Sequence, residues 1–188
     1  AIVTGGALTN EEALAWKAIA DSLAARTASA PIAAAADWDR LDAYAAPLAA
    51  IDLADAVVVI GDQEPTDRAG TIDLRIRKAR RSGARLTIVG PGGTAPEPDA
   101  QQFLRTLPAA GSAMLAALTA AVVEAGGANV RSDAKTVGTV EELAADAGAD
   151  VAQVRELAGT LVAAARPVLV VTDHVAATEI EALAWALG

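Results

Sequence analysis

The 188-residue chain has no cysteine, one histidine, one methionine, and only 3% aromatic residues. The lack of cysteine excludes disulfides, thiolate zinc sites and cysteine-ligated iron–sulfur clusters within these residues. The single histidine, His174, cannot build a histidine-rich metal site alone, and beside Asp173 it reads as part of a strand-end turn. No apolar run approaches the length needed to cross a bilayer, and no signal peptide is visible. No G-x-G-x-x-G follows a strand pattern, and neither a Walker A motif nor Gly-x-Ser-x-Gly occurs. With so few aromatics, the core has to come from close helix packing and Val/Ile/Leu strands.

What is present is a chain 53% hydrophobic, much of it alanine, with 21% charged residues, a composition of folded rather than disordered protein. The length suits one domain of ordinary size or one plus a small lobe. The net charge of -9 repels nucleic acid backbones and anionic lipid, so neither is expected as a partner. One dense basic run interrupts it (Arg75, Arg77, Lys78, Arg80 and Arg81), read here as a solvated helix face. Ala1 opens directly on a strand-like AIVTGG and the chain closes on a helix-like EIEALAWALG, which suggests a segment cut from a longer protein.

Periodicity then sets the elements. Ala1–Thr4 reads as a short strand with a turn at Gly5-Gly6. Thr9 with Glu12 fits a capping box opening a helix to about Ala25, with Arg26 in its last turn. A second helical region is expected over Asp37–Ala50, kinked or ended by Pro47. Ala56–Ile60 is a run of apolar, mostly β-branched residues ended by Gly61, as expected of a strand buried on both faces. Pro65–Ser82 reads as a helix burying Ala69, Ile72, Ile76 and Ala79, with Asp67 in its first turn and the basic run in its last. Arg85–Gly90 is a second buried strand, so strand, helix and strand form a βαβ unit with the right-handed crossover that parallel pairing favours. Thr94–Asp99 reads as loop, Gln102–Leu107 as a short edge strand, Ala113–Val123 as a helix packed through Met114, Leu115, Leu118 and Val122, and Ala128–Gly138 as an irregular connection. Short helices open at Thr139 and Asp150, Pro167–Val171 is a strand, and Thr178–Leu187 is the closing helix. The tryptophans Trp16, Trp38 and Trp185 are expected to anchor packing. The fold class expected is α/β: a doubly wound, mainly parallel sheet flanked by helices. Residues 1–128 would form the main domain, and 129–188 a helical and βα continuation on the same sheet or a small lobe. An open sheet edge or apolar face makes self-association of the segment an expectation.

Ligands of such sheets lie where parallel strands end. The candidate crevice is therefore lined by Gly61, Asp62 and Glu64 after one strand and by Gly90, Pro91 and Gly92 after the next. The second loop has the small residues a phosphate needs. The first crowds Asp62, Glu64 and Asp67 at the mouth of the following helix. At an effective dielectric of about 20, each carboxylate roughly 4–6 Å from a phosphate costs on the order of 3–4 kcal/mol, and one helix N-terminus returns only about 0.3–2 kcal/mol. A diphosphate is rejected there unless a cation or an arginine intervenes, Arg68 being the local candidate. The same trio could serve acid–base chemistry or Mg²⁺, but its plain reading is acidic residues at a helix start.

The segment ADAVVVIGDQEPTDRAGTIDLRIRKARRSGARLTIVGP, residues 54–91, resembles the molybdopterin oxidoreductase superfamily. ALTNEEALAWKAIA (7–20), LPAAGSAMLAALTAAV (107–122) and PVLVVTDHVAATEIEALAWALG (167–188) are similar to further segments in the family's order. The Arg-Ile-Arg-Lys-Ala run and the Gly-Pro ending look most like the large iron–sulfur subunit of respiratory complex I, the NADH:quinone oxidoreductase. That resemblance implies a middle domain of the superfamily fold without the molybdenum cofactor, in a parent enzyme passing electrons from NADH to quinone through iron–sulfur clusters in other domains. It implies as partners the other domains and subunits of the peripheral arm, on the cytoplasmic face of the inner membrane without insertion into it, and a scaffold role without catalytic or metal-binding residues of its own. Departures from cofactor-binding members point the same way. Gly61-Asp62-Gln63-Glu64-Pro65 stands where Gly-Ser-Asn-Pro is usual, Gly90-Pro91-Gly92 where Asp-Pro-Arg is, and Pro108-Ala109-Ala110-Gly111-Ser112 where Pro-Gly-Thr-Asp is. Two other readings stay open: the pterin-guanine-dinucleotide domain of a formate dehydrogenase or nitrate reductase, and the central domain of a thiamine-diphosphate enzyme, to which the helix–strand–helix of 158–188 is also similar.

Overall fold

A computed structural model of the chain describes residues 2–4, 10–29, 41–63, 65–126, 138–172 and 175–188. The expected Gly5-Gly6 turn, the Thr9 cap, the start of the second helical region, Trp38, the 128–137 connection and the Asp173–His174 turn lie outside the described residues.

Residues 1–38 and 39–188 form two compact units. In the first, β1 (Ile2–Thr4), α1 (Asn10–Ser22) and β2 (Thr27–Ser29) make a β-α-β unit with Ile2 paired to Thr27 in parallel register. The helix stops earlier than its sequence pattern suggests. Ala24 takes a left-handed φ of 47°, and the Ala25 amide reaches back to the Ala20 carbonyl at 2.8 Å. This i-to-i−5 closure ends the helix and leaves Arg26 beyond it rather than in its last turn. Trp16 is 44% exposed, so it is not the packing anchor expected.

The second unit holds a four-stranded, all-parallel sheet flanked by helices, an α/β fold. Its strands are β3 (Ala56–Ile60), β4 (Arg85–Gly90), β5 (Gln102–Arg105) and β6 (Pro167–Val171), in the order β5-β4-β3-β6. Its helices are α2 (Pro65–Arg81), α3 (Gly111–Glu124), α4 (Val140–Ala147), α5 (Val151–Ala163) and α6 (Ala177–Leu187). Side chains alternate across each strand. Val57, Val59, Leu86 and Ile88 face one layer with Ile51, Ile76 and Ala79, while Val58, Ile60 and Val89 face the other with Met114, Leu115, Leu118, Leu157 and Leu183. Burial on both faces is why these strands read as continuous apolar runs.

Local chemistry fixes the helix ends. Thr139 and Glu142 form a reciprocal capping box on α4, Gly148 closes it in the left-handed region with φ 67°, and the Asp150 carboxylate caps α5. Two expectations need correction. Residues 41–44 and Leu48–Leu53 form 3₁₀ turns rather than one α-helix, because Pro47 lies between them in extended conformation and supplies no N–H. Within α2, Ala69 leaves helical geometry (φ −151°, ψ 64°) just ahead of Gly70, the weakest helix former after the opening Pro65. Ile76 and Ala79 are fully buried and Ile72 packs beside them, whereas Ala69 sits in the kink, half-buried. On α6, Leu183 and Ala186 are buried while Trp185 is 37% exposed, so the core takes the small neighbours rather than the indole.

The basic run of α2 is used within the fold. Arg75 and Lys78 both meet Asp52, at 2.7 and 2.9 Å, and Arg77 bridges Asp73 and Asp99 at 2.9 and 3.3 Å. The hydrogen bond from Lys78, with Arg75 alongside, holds the Asp52 carboxyl below its ordinary range.

Candidate functional site

The register places Ile60, Val89 and Val171 level at the carboxyl ends of three adjacent strands. From β3 the chain runs to β4 and β5 on one side and returns to β6 on the other. The topological switch point, where open α/β sheets take ligands, is therefore between β3 and β6. Reading in sequence order points to the loops after β3 and β4. It misses the loop after β6, which pairing alone brings to the switch.

That switch point is packed with the chain's own groups. The Thr172 amide donates to the Ile60 carbonyl at 2.9 Å, and the Ala176 amide donates to Ser112 Oγ at 3.0 Å. Val175 is 3% exposed, and a Cβ placed on Gly111 would come within 2.9 Å of its side chain. Val175 and Ala176 thus pack against Gly111 and Ser112 at the start of α3.

Described groups of the two loops named from sequence also bond within the chain. Gly61 is buried with φ 133°. Asp62 turns its carboxylate onto the Ala109 amide at 2.5 Å, tying the loop after β3 to the one before α3. Gly90 lies against β3: a Cβ there would stand 2.8 Å from the Gly61 carbonyl oxygen. The Pro91 carbonyl accepts from Arg105 Nη1 at 2.8 Å, and the Arg105 guanidinium fills the space a side chain at Gly92 would need. The Gly93 amide donates to Glu97 Oε2 at 2.8 Å, and Arg105 Nη2 stands 3.3 Å from Glu97 Oε1. Arg105 also lies over the Phe103 ring, 4.3 Å from its centroid. Neither Glu97 nor Arg105 stands out in the sequence. The signal available is an acidic residue four positions after Gly93 and an arginine at the end of the edge strand.

Glu64 and the side chain of Arg68 lie outside the described residues. Of the acidic trio, Asp62 is engaged by Ala109 and Asp67 is exposed on the first turn of α2. Among the described residues no group of three ligating side chains could hold a metal ion, and no helix is long and apolar enough to cross a membrane.

At the other end of the sheet lies a cavity of about 460 Å³ lined by residues including Asp55, Arg85, Glu156 and Thr160. Asp55 joins β3 to β6: its carboxylate accepts from the Ala165 and Arg166 amides, both at 2.9 Å. The Arg166 amide and then that of Ala165 hold its pKa below the ordinary value. A folded-state pKa lowered in this way gives stability that is present above the unfolded value, near 3.9, and lost as pH falls through the folded one. Asp55→Asn removes the charge. The Tm gap between the parent chain and Asp55→Asn is expected to be widest near pH 6 and to narrow toward pH 3. A gap that stays constant across that range would show that the charge of Asp55 has no part in it.

No model of a known protein family matches the sequence, and no curated protein matches it. Among solved structures, acetylene hydratase from Pelobacter acetylenicus is similar with a TM-score of 0.57 at 11% identity, over 86% of this chain and 25% of the hydratase. The chain spans about a quarter of that protein's length, and the likeness is one of fold.

Proposed function

We propose that the chain is a scaffold domain of a larger oxidoreductase, most like the large iron–sulfur subunit of a respiratory NADH:quinone oxidoreductase, and that it holds no cofactor of its own. The observation that carries this reading is the state of the carboxyl-end crevice. A pterin dinucleotide needs backbone amides and a cation for its diphosphate. Here the Gly93 amide and Arg105 are taken by Glu97, the Ala109 amide by Asp62, and Val175 packs against Gly111 at the start of α3. These engagements support the reading that no pterin dinucleotide is held here. The motif order across 54–91 supports the family side of the proposal. Iron–sulfur clusters would sit in other domains of the parent, since this chain has no cysteine. The partners would be those domains and the neighbouring subunits of the peripheral arm, at the cytoplasmic face of the inner membrane.

The test is direct. The purified chain is expected to contain no molybdenum by elemental mass spectrometry and no pterin by fluorescence after oxidation. GDP and ATP, used as diphosphate probes, are expected to leave its Tm unchanged at micromolar concentration. Stoichiometric pterin would overturn the proposal in favour of a pterin-dinucleotide-binding domain.

A further inference from the structure

The turn after β4 is arranged like an anion site that already contains its anion. Gly92 and Gly93 take successive positive φ values of 111° and 86°. Turns that point backbone N–H groups inward form concavities that collect anions, and here the Gly93 amide points at a carboxylate. The Gly93 amide and the Arg105 guanidinium both reach one carboxylate, that of Glu97, at 2.8 and 3.3 Å. Arg105 is itself held from two further sides, by the Pro91 carbonyl at 2.8 Å and by the Phe103 ring. Glu97 comes from the adjoining 3₁₀ turn Glu97–Asp99, four residues from its backbone donor. Its side chain is 25% exposed and that of Arg105 63%, so the pair lies within reach of solvent.

From this geometry we infer that the Gly92–Gly93 turn and Arg105 form an oxyanion site, that Glu97 is its resident anion, and that removing this carboxylate opens it to inorganic phosphate or sulfate. The inference rests on the proposed cofactor-free crevice and gives one cause for it. A carboxylate tethered four residues away acts at an effective concentration in the millimolar range or above. An external oxyanion has to exceed that concentration to displace it, and meets the repulsion of the carboxylate as it does so. Without Glu97 both obstacles disappear, while the amide and the guanidinium remain.

The experiment is a titration of the ¹⁵N-labelled full chain with sodium phosphate, ionic strength held constant with sodium chloride, read from the Gly93 amide resonance. Glu97→Ala is expected to bind phosphate at least roughly tenfold more tightly than the parent chain. Sulfate should compete and chloride should not. Arg105→Gln added to Glu97→Ala should abolish the response. Equal response in the parent chain and Glu97→Ala, or a response that survives Arg105→Gln, overturns the inference and leaves the cofactor-free reading standing. Micromolar phosphate binding by the parent chain overturns both. Glu97→Gln keeps the size of the side chain without its charge. If it and Glu97→Ala both lose the folded spectrum, Glu97 is a structural tie of the loop and the inference fails.

Discussion

Truncating Leu118 to alanine is expected to cost about 2–5 kcal/mol of unfolding free energy. Leu118 is fully buried at the middle of α3, within the cluster that joins α3 to β3, α4, α5 and α6. Its neighbours Met114, Leu115 and Val122 are fully buried too. The loss has two parts. Removing a buried leucine side chain forfeits about 1.5–3 kcal/mol of transfer free energy, and the remainder is the cavity left where helices on several sides cannot all move in. The measurement is a urea titration followed by far-ultraviolet circular dichroism. A lower midpoint with unchanged slope is the expected form. A loss under about 1 kcal/mol, well below the usual cost of such a truncation, would mean that α3 is not the central packing helix of this layer.

Gly90→Ala is the second large effect, and it acts on the sheet rather than on a helix layer. The new Cβ would stand 2.8 Å from the Gly61 carbonyl oxygen, a backbone atom of the neighbouring strand end. No side chain can swing aside to make room, so β3 and β4 have to separate where they now close through the Gly61 amide on the Val89 carbonyl at 3.1 Å. Overpacking of this kind costs about 1–3 kcal/mol. The local signature is faster hydrogen exchange at the Gly61 amide than in the parent chain. Full stability together with unchanged exchange at Gly61 would show that the two strand ends are not in the close approach described.

The buried strands are legible because both their faces are covered, which turns a tertiary fact into local stretches rich in Val, Ile and Leu at 57–60 and 86–89. Helix α4 is legible through the Thr139–Glu142 box, whose two hydrogen bonds span only three residues. The break at Pro47 is legible from the proline itself, but the 3₁₀ turns beside it and the kink at Ala69 are not, since helical spacing of apolar residues does not report a tightened turn or a single displaced φ.

The crevice divides along the same line. Its negative character can be argued from Asp62 and its neighbours, because charge belongs to the residue wherever it sits. The answer to each carboxylate cannot. Asp62 meets an amide 47 residues away, Ser112 receives one from 64 residues on, and Arg105 reaches back 14 residues to Pro91. These pairings exist because β6 enters the sheet beside β3 and β5 beside β4. The sequence by itself determined the α/β alternation, the buried strands and the absence of cysteine ligands, since each follows from residue type and short-range spacing. Only the tertiary structure decided that the switch point lies between β3 and β6 and which loop groups meet there, because strand order is a choice among long-range pairings of similar local pattern.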